Sequence, residues 1–149
     1  MTTRTLDYTA RIEVAPSAQE NGLALMVSGL ILQNLQEKPG KRDDFARLRG
    51  RIAIVAEDAE VALTLAFDGN MLTVHDGIEG VPHLMVRGLG EDIVQMSLLE
   101  LTPRLGLPNL FSPAGRAIFQ KTQSGQVRVY GALLHIPMLL RLTRLLSVN

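Results

Sequence analysis

Residues 124–147, SGQVRVYGALLHIPMLLRLTRLLS, decide how this chain folds. Val127 and Val129 alternate with Arg128 and Tyr130, the period of two that marks a half-buried strand. Gly131 ends that strand, and the stretch behind it has helical spacing with apolar residues on most of its circumference. Met138, Leu139, Leu140, Leu142, Leu145 and Leu146 leave Arg141, Thr143 and Arg144 as the polar side. A surface helix needs one apolar stripe, whereas one apolar nearly all round must be covered on several sides. Beyond a sheet, that cover is another helix, a second subunit or a lipid.

At the other end of the chain, Leu6, Tyr8, Ala10, Ile12 and Val14 alternate with Asp7, Thr9, Arg11 and Glu13, which predicts an amphipathic strand. Pro16 stops it. Ser17, with Glu20 three residues on, has the spacing of a capping box, so a helix is expected from Ser17 to about Glu37. Leu23, Met26, Val27, Leu30, Ile31 and Leu35 form its apolar face, and Pro39-Gly40 terminates it. The charged run KRDD (41–44) reads as a solvated loop, followed by a short helical turn around Phe45 and Leu48.

From Arg51 to Gly88 the period is two again. RIAIVAE, VALTLAF and LTVHD predict three strands, the last two joined by a tight turn at Asp68-Gly69-Asn70. GIEGVP is a longer turn and HLMVRG a short fourth strand. A helix is expected from Asp92 to Leu101, ended by Pro103. PRLGLPNLFSPAG (103–115) has three prolines among Leu105, Leu107, Leu110 and Phe111. It is too broken for one regular element and too apolar for an ordinary solvated loop, so it either packs on the core or gates a cavity. Ala117–Lys121 adds a short helix.

Composition narrows the function. The 149 residues suffice for one domain with a real core. The formal net charge is zero, so no basic surface advertises nucleic acid or anionic membrane, and the lack of tryptophan argues against base stacking. The absence of cysteine removes disulfides, thiolate metal sites and cysteine nucleophiles. The start, MTTRTLDYTARIEV, is polar and alternating, unlike a secretory leader, and a cytoplasmic protein is expected. His75, His83 and His135 match no zinc spacing. Glu57, Asp58 and Glu60 crowd a turn, Glu91-Asp92 opens a helix, and no serine, glycine loop or P-loop stands in a catalytic setting. No catalytic residue, metal site or cofactor is therefore expected.

The order of these parts resembles the sterol carrier protein family. After the leading helix come LRGRIAIV, VALTLAFDGNMLTVHDG, PHLMVRG, EDIVQMSLLEL, GQVRVYG and HIPMLLRLTRLL, with glycines at Gly77, Gly125 and Gly131. Two features depart from the family pattern: Ala132 follows the last glycine where a polar residue is usual, and the 103–115 segment is longer and more apolar. The resemblance implies an α+β domain spanning 1–149, a mostly antiparallel sheet covered on one face by helices, with an apolar cavity between the layers. The strand at about 5–15 is extra to the family and docks on the sheet or pairs with a second copy, leaving monomer and homodimer open.

The resemblance also implies carriage of a fatty acid, acyl-CoA, sterol-like or other lipid without chemistry on it, and transient contact with membranes. The convergence of three apolar segments nominates Met96, Leu110, Phe111, Phe119, Leu139 and Leu142 as cavity residues. Flexible methionines at Met71, Met85, Met96 and Met138 suit a cavity accepting several ligands. Two other functions stay open: a scaffold or dimerisation module, and an enzyme, such as a hydrolase, or accessory protein in lipid or quinone metabolism, for which His75, His83 and Tyr130 are the polar groups the sequence nominates.

Overall fold

A computed structural model of the protein describes residues 2–5, 10–96 and 127–147. In chain order the strands are β1 (Thr2–Thr5), β2 (Arg11–Val14), β3 (Arg49–Ala56), β4 (Val61–Asp68), β5 (Met71–Asp76), β6 (Leu84–Gly88) and β7 (Arg128–Tyr130). The helices are α1 (Gly22–Glu37), α2 (Lys41–Arg47), α3 (Gly90–Met96) and α4 (Ile136–Leu146). The strands form one sheet in the order β1-β2-β5-β4-β3-β6-β7. Four neighbouring pairs are antiparallel, while β2–β5 and β3–β6 are parallel. This is a mixed α+β fold, mostly antiparallel.

Register sorts the side chains onto two faces. Ile12 is opposite Leu72, Val14 opposite Val74, Leu65 opposite both Val74 and Ile52, and Ile52 opposite Leu84. All are buried, and with Ile54, Leu63 and Phe67 they make one continuous apolar face. The helices sit on it. Ala24, Val27, Ile31 and Leu35 of α1 recur at three- and four-residue intervals and are buried. Phe45 of α2 meets Phe67 edge-on at 6.0 Å, and Leu142 and Leu145 of α4 complete the layer. Each such fully buried side chain stabilises the fold by about 1.5–3 kcal/mol.

Local differences from the sequence reading have physical causes. Pro16–Ala18 forms a single 3-10 turn and α1 starts later, at Gly22. Its cap is Asn21, whose side chain accepts a hydrogen bond from the Ala24 N–H at 3.1 Å. The Asn21 amide also donates to Asp76 and to the Ala62 carbonyl, tying the helix start to two strands. Ser17, the expected cap, instead accepts from the Asp76 N–H. KRDD is no solvated loop: it is the first turn of α2, and Lys41 is buried. Of the N-terminal strand, Arg11–Val14 lies parallel to β5, while Leu6 and Tyr8 are outside the described residues.

The link from β5 to β6 (77–83) must pass β4 and β3, and it does so over the face opposite the helices. Thr64, whose side chain points there, donates to the Gly77 carbonyl at 2.7 Å and accepts from the Glu79 N–H at 2.9 Å. His75 pairs with Glu79, and His83 exchanges hydrogen bonds with Arg51. This strap explains why polar Thr64 and its cross-strand neighbour Ala53 are wholly buried on the face without helices.

Gly131 is where the final strand turns into α4. Its φ is +83°, and a Cβ there would lie 2.2 Å from the His83 carbonyl oxygen, a contact that backbone must yield to. Gly77 also has positive φ, +68°, yet a Cβ would meet nothing within 4 Å. Gly77→Ala should therefore cost only the left-handed penalty of about 1–2 kcal/mol. Gly131→Ala should cost clearly more, about 3 kcal/mol or above, in urea melts. Equal costs at the two positions would mean the β6–β7 junction yields easily.

Deleting residues 1–15 should lower the melting temperature by uncovering Leu72 and Val74 on β5, with molar mass by light scattering unchanged. A fall in mass would mean that the segment joins two copies instead.

Candidate apolar binding site

Leu139 and Leu142, one turn apart on α4, face the sheet across a cleft. Ile54 of β3 and Val86 of β6, direct partners in the parallel pair, form its floor, and Ile93 of α3, Thr143 and Leu146 complete it. The lining is apolar except for Thr143, whose hydroxyl donates to the Leu139 carbonyl at 2.8 Å. Among the described residues of the lining, Thr143 carries the one polar side chain. The cleft volume is about 30 Å³, roughly the share of one water molecule.

Two of the six sequence-nominated residues, Leu139 and Leu142, thus stand side by side. Met96 ends α3, and its side chain, like Leu110, Phe111 and Phe119, lies outside the described residues, as does the 103–115 segment. Ile54, Val86, Ile93 and Leu146 were not nominated. Their alternation or helical spacing marked them as apolar, but only strand order brings β6 beside β3 and under α4.

What holds α4 is asymmetric. At its C-terminal end, Asn34 donates to the Leu145 carbonyl at 2.9 Å, and Lys41 donates to the carbonyls of Arg144 and Ser147. Arg144 grips Asp44 with two nitrogens, at 2.8 and 3.2 Å. These groups satisfy the orphan carbonyls of a helix end and place a cation where the helix dipole favours one. Its N-terminal end lacks a side-chain cap, and Ile136 there is exposed while Met138 and Leu139 are half-buried. Among the described residues, the side-chain anchors of α4 are at its C-terminal end.

Other concavities differ in character. A groove of about 310 Å³ runs between α1 and β2, lined by Ile12, Val14, Leu25 and Leu32 but also by Gln19 and Ser28. Elsewhere, Glu57 bonds Arg128 at 2.6 Å and holds that guanidinium above its ordinary pKa, and Asp58 accepts from the Gly90 N–H at the start of α3. Among the described residues no three His, Cys, Asp or Glu side chains gather as metal ligands, and no described helix is long and apolar enough to cross a membrane.

No family model matches the chain, and no curated protein matches it in sequence. Its architecture, however, is that of known structures. It is similar to the UbiJ-SCP2 ubiquinone synthesis protein, with 15% identity over 84% of this chain and 96% of that one, at a TM-score of 0.58. It is also similar to sterol carrier protein 2 from Yarrowia lipolytica in its apo form, with 12% identity over 91% and 97% and a TM-score of 0.50. The chain has a sterol-carrier-like fold. At such identities the likeness concerns the fold alone.

Burial pushes the Lys41 amine down from 10.5 to about 8, helped by Lys38 and opposed by Asp44. Below pH 8 the amine is charged in both states, and the folded protein bears its desolvation. Between pH 8 and 10.5 the unfolded chain holds more protons, so this group's contribution to stability rises with pH. The stability margin of wild type over Lys41→Met should therefore widen by about 1 kcal/mol between roughly pH 7.5 and 9.5, solvent at the helix end reducing the full linkage value. Paired urea melts at the two pH values check this, and a narrowing margin would contradict it.

Proposed function

We infer that this protein binds an apolar ligand, a fatty acid, acyl-CoA, sterol-like or other lipid, between α4 and the sheet, without acting on it chemically. The observation that carries the reading is the cleft's lining: apolar side chains from four elements and a single hydroxyl already bonded within its own helix. Such a surface gains about 0.8 kcal/mol for each methylene it takes from water, and its described residues offer no acid or base. In this reading α4 lifts to admit a chain. Its C-terminal anchors and apolar N-terminal half support a swing of the N-terminal end, with Met138 and Leu139 moving off the sheet.

A second reading concerns the cargo. The likeness to a ubiquinone synthesis protein is at least as good as that to a sterol carrier, so a prenylated quinone or its precursor is also a candidate, with this protein as an accessory to its metabolism.

The test is direct. A fluorescent fatty acid should bind the delipidated protein and be displaced by the natural cargo, identified by mass spectrometry of the extract. Leu139→Lys should weaken binding at least tenfold, about 1.4 kcal/mol or more, because it places a charge in the apolar cleft. Leu25→Lys, in the α1–β2 groove, should leave binding unchanged. Circular dichroism and a thermal melt confirm that both variants fold. If Leu25→Lys abolishes binding and Leu139→Lys does not, the ligand occupies the other groove; if the wild type binds neither lipid nor quinone, the reading is wrong.

A further inference from the structure

The sheet face opposite the helices carries an unbalanced charge. Arg87 of β6 and Arg128 of β7 are direct cross-strand partners, so their side chains share that face. Like charges set opposite one another in an antiparallel pair destabilise it unless something compensates. One carboxylate does so in part. Glu57 lies 2.6 Å from Arg128 but 3.9 Å from the Arg87 Nε, so it is committed to Arg128. Two guanidiniums over one carboxylate leave a single positive charge in excess.

That excess falls on Arg87. Its side chain is 36% exposed, yet its Nε is buried and makes no hydrogen bond. Glu57 is its one ion-pair partner among the described residues. A buried donor left without an acceptor is rare in folded proteins, because it has given up water and gained nothing in return.

Beside Arg87 the sheet surface is concave. A hollow of about 340 Å³ is lined by Pro82, His83, Met85, Arg87, Tyr130 and Gly131. Met85 and Arg87 alternate with Leu84 and Val86, which are buried under the helices, so the hollow and the α4 cleft are on opposite faces of the sheet. Register sets Met85 opposite Tyr130, which brings a thioether and a phenol ring to the same hollow. The His83 Nδ1 accepts from the Arg51 N–H at 3.1 Å, which makes Nε2 the donating nitrogen of that ring. The lining thus combines one guanidinium fork and one imidazole N–H with the apolar surfaces of proline, methionine and tyrosine.

Charge, donor geometry and size select the ligand. One excess positive charge matches a monoanion, whereas a phosphate monoester carries about −1.5 to −2. The planar fork of arginine fits a carboxylate with two parallel hydrogen bonds. A volume of about 340 Å³ is near the lower end for small-molecule sites. Methionine sulfur and tyrosine both favour contact with an aromatic ring. We propose that this hollow binds a small aromatic carboxylate, its carboxylate on Arg87 and its ring against Met85, Pro82 and Tyr130. The bound anion supplies the second negative charge that the cross-strand arginines lack. The proposal does not rest on the cleft reading, which concerns the other face.

Titration of the full chain with benzoate, followed by amide NMR spectra, tests this. The amides of Met85, Arg87 and Tyr130 should shift saturably. Benzamide has the same shape without the charge, and acetate has the charge without the ring; each should bind at least tenfold more weakly than benzoate. Arg87→Gln should weaken benzoate binding at least tenfold. Arg87→Lys should weaken it several-fold, since it keeps the charge and loses the fork. Arg49→Gln, at the other end of β3, should leave it unchanged. Circular dichroism confirms that the variants fold, and the comparison of the three ligands on wild type needs no variant. The proposal is overturned if benzoate gives no saturable shifts, or if the shifts fall on Ile54, Val86 and Leu139 of the cleft instead. It is equally overturned if benzamide or acetate binds as tightly as benzoate, or if Arg87→Gln binds like wild type. Benzoate binding without fatty-acid binding would sink the cleft reading alone, and the reverse result would sink this one alone.

Discussion

Asn34 and Lys41 hold the carbonyl end of α4 against α1 and α2, and the geometry of the helical layer depends on that attachment. α1 and α2 from the first third of the chain and α4 from its end lie on one sheet face, and apolar contact alone is non-directional. It fixes how much surface is buried, not where along the sheet a helix stops. Hydrogen bonds to the final carbonyls of α4, with Arg144 clasping Asp44, set its position and place Leu142 and Leu145 in the core. Replacing any partner would leave a buried polar group unmatched, which is why such anchors are costly to lose.

The same arrangement makes α4 unequal along its length. Polar bonds gather at one end, and half-buried methionine and leucine at the other. Among the described residues, the cleft between this helix and the sheet is lined by apolar side chains and Thr143. A helix held this way couples what happens at its first turn to the space beneath it.

Much of the fold was legible because its cause is local. Alternation in Arg51–Gly88 reports one apolar and one polar face per strand, and the described strands differ from that reading by only a few residues at their ends. The candidate site was less legible. Leu139 and Leu142 were evident from helical spacing, but Ile54 and Val86 join them only because β6 lies parallel to β3, a pairing between residues about thirty positions apart. Lys41 was misread for a related reason: a charged run has the composition of a solvated loop, and nothing near it in sequence discloses that a helix end a hundred residues later needs its amine.

By itself, then, the sequence determined the elements: which stretches have period two and where glycine and proline end them. Only tertiary structure decided the strand order, the strap across the second sheet face, the polar anchors of α4 and the pairing of Arg87 with Arg128. Periodicity is a property of neighbours along the chain, within reach of backbone geometry and side-chain spacing. Strand order and helix docking are settled between segments far apart in sequence, by register, burial and hydrogen bonds that exist only once the chain has closed on itself.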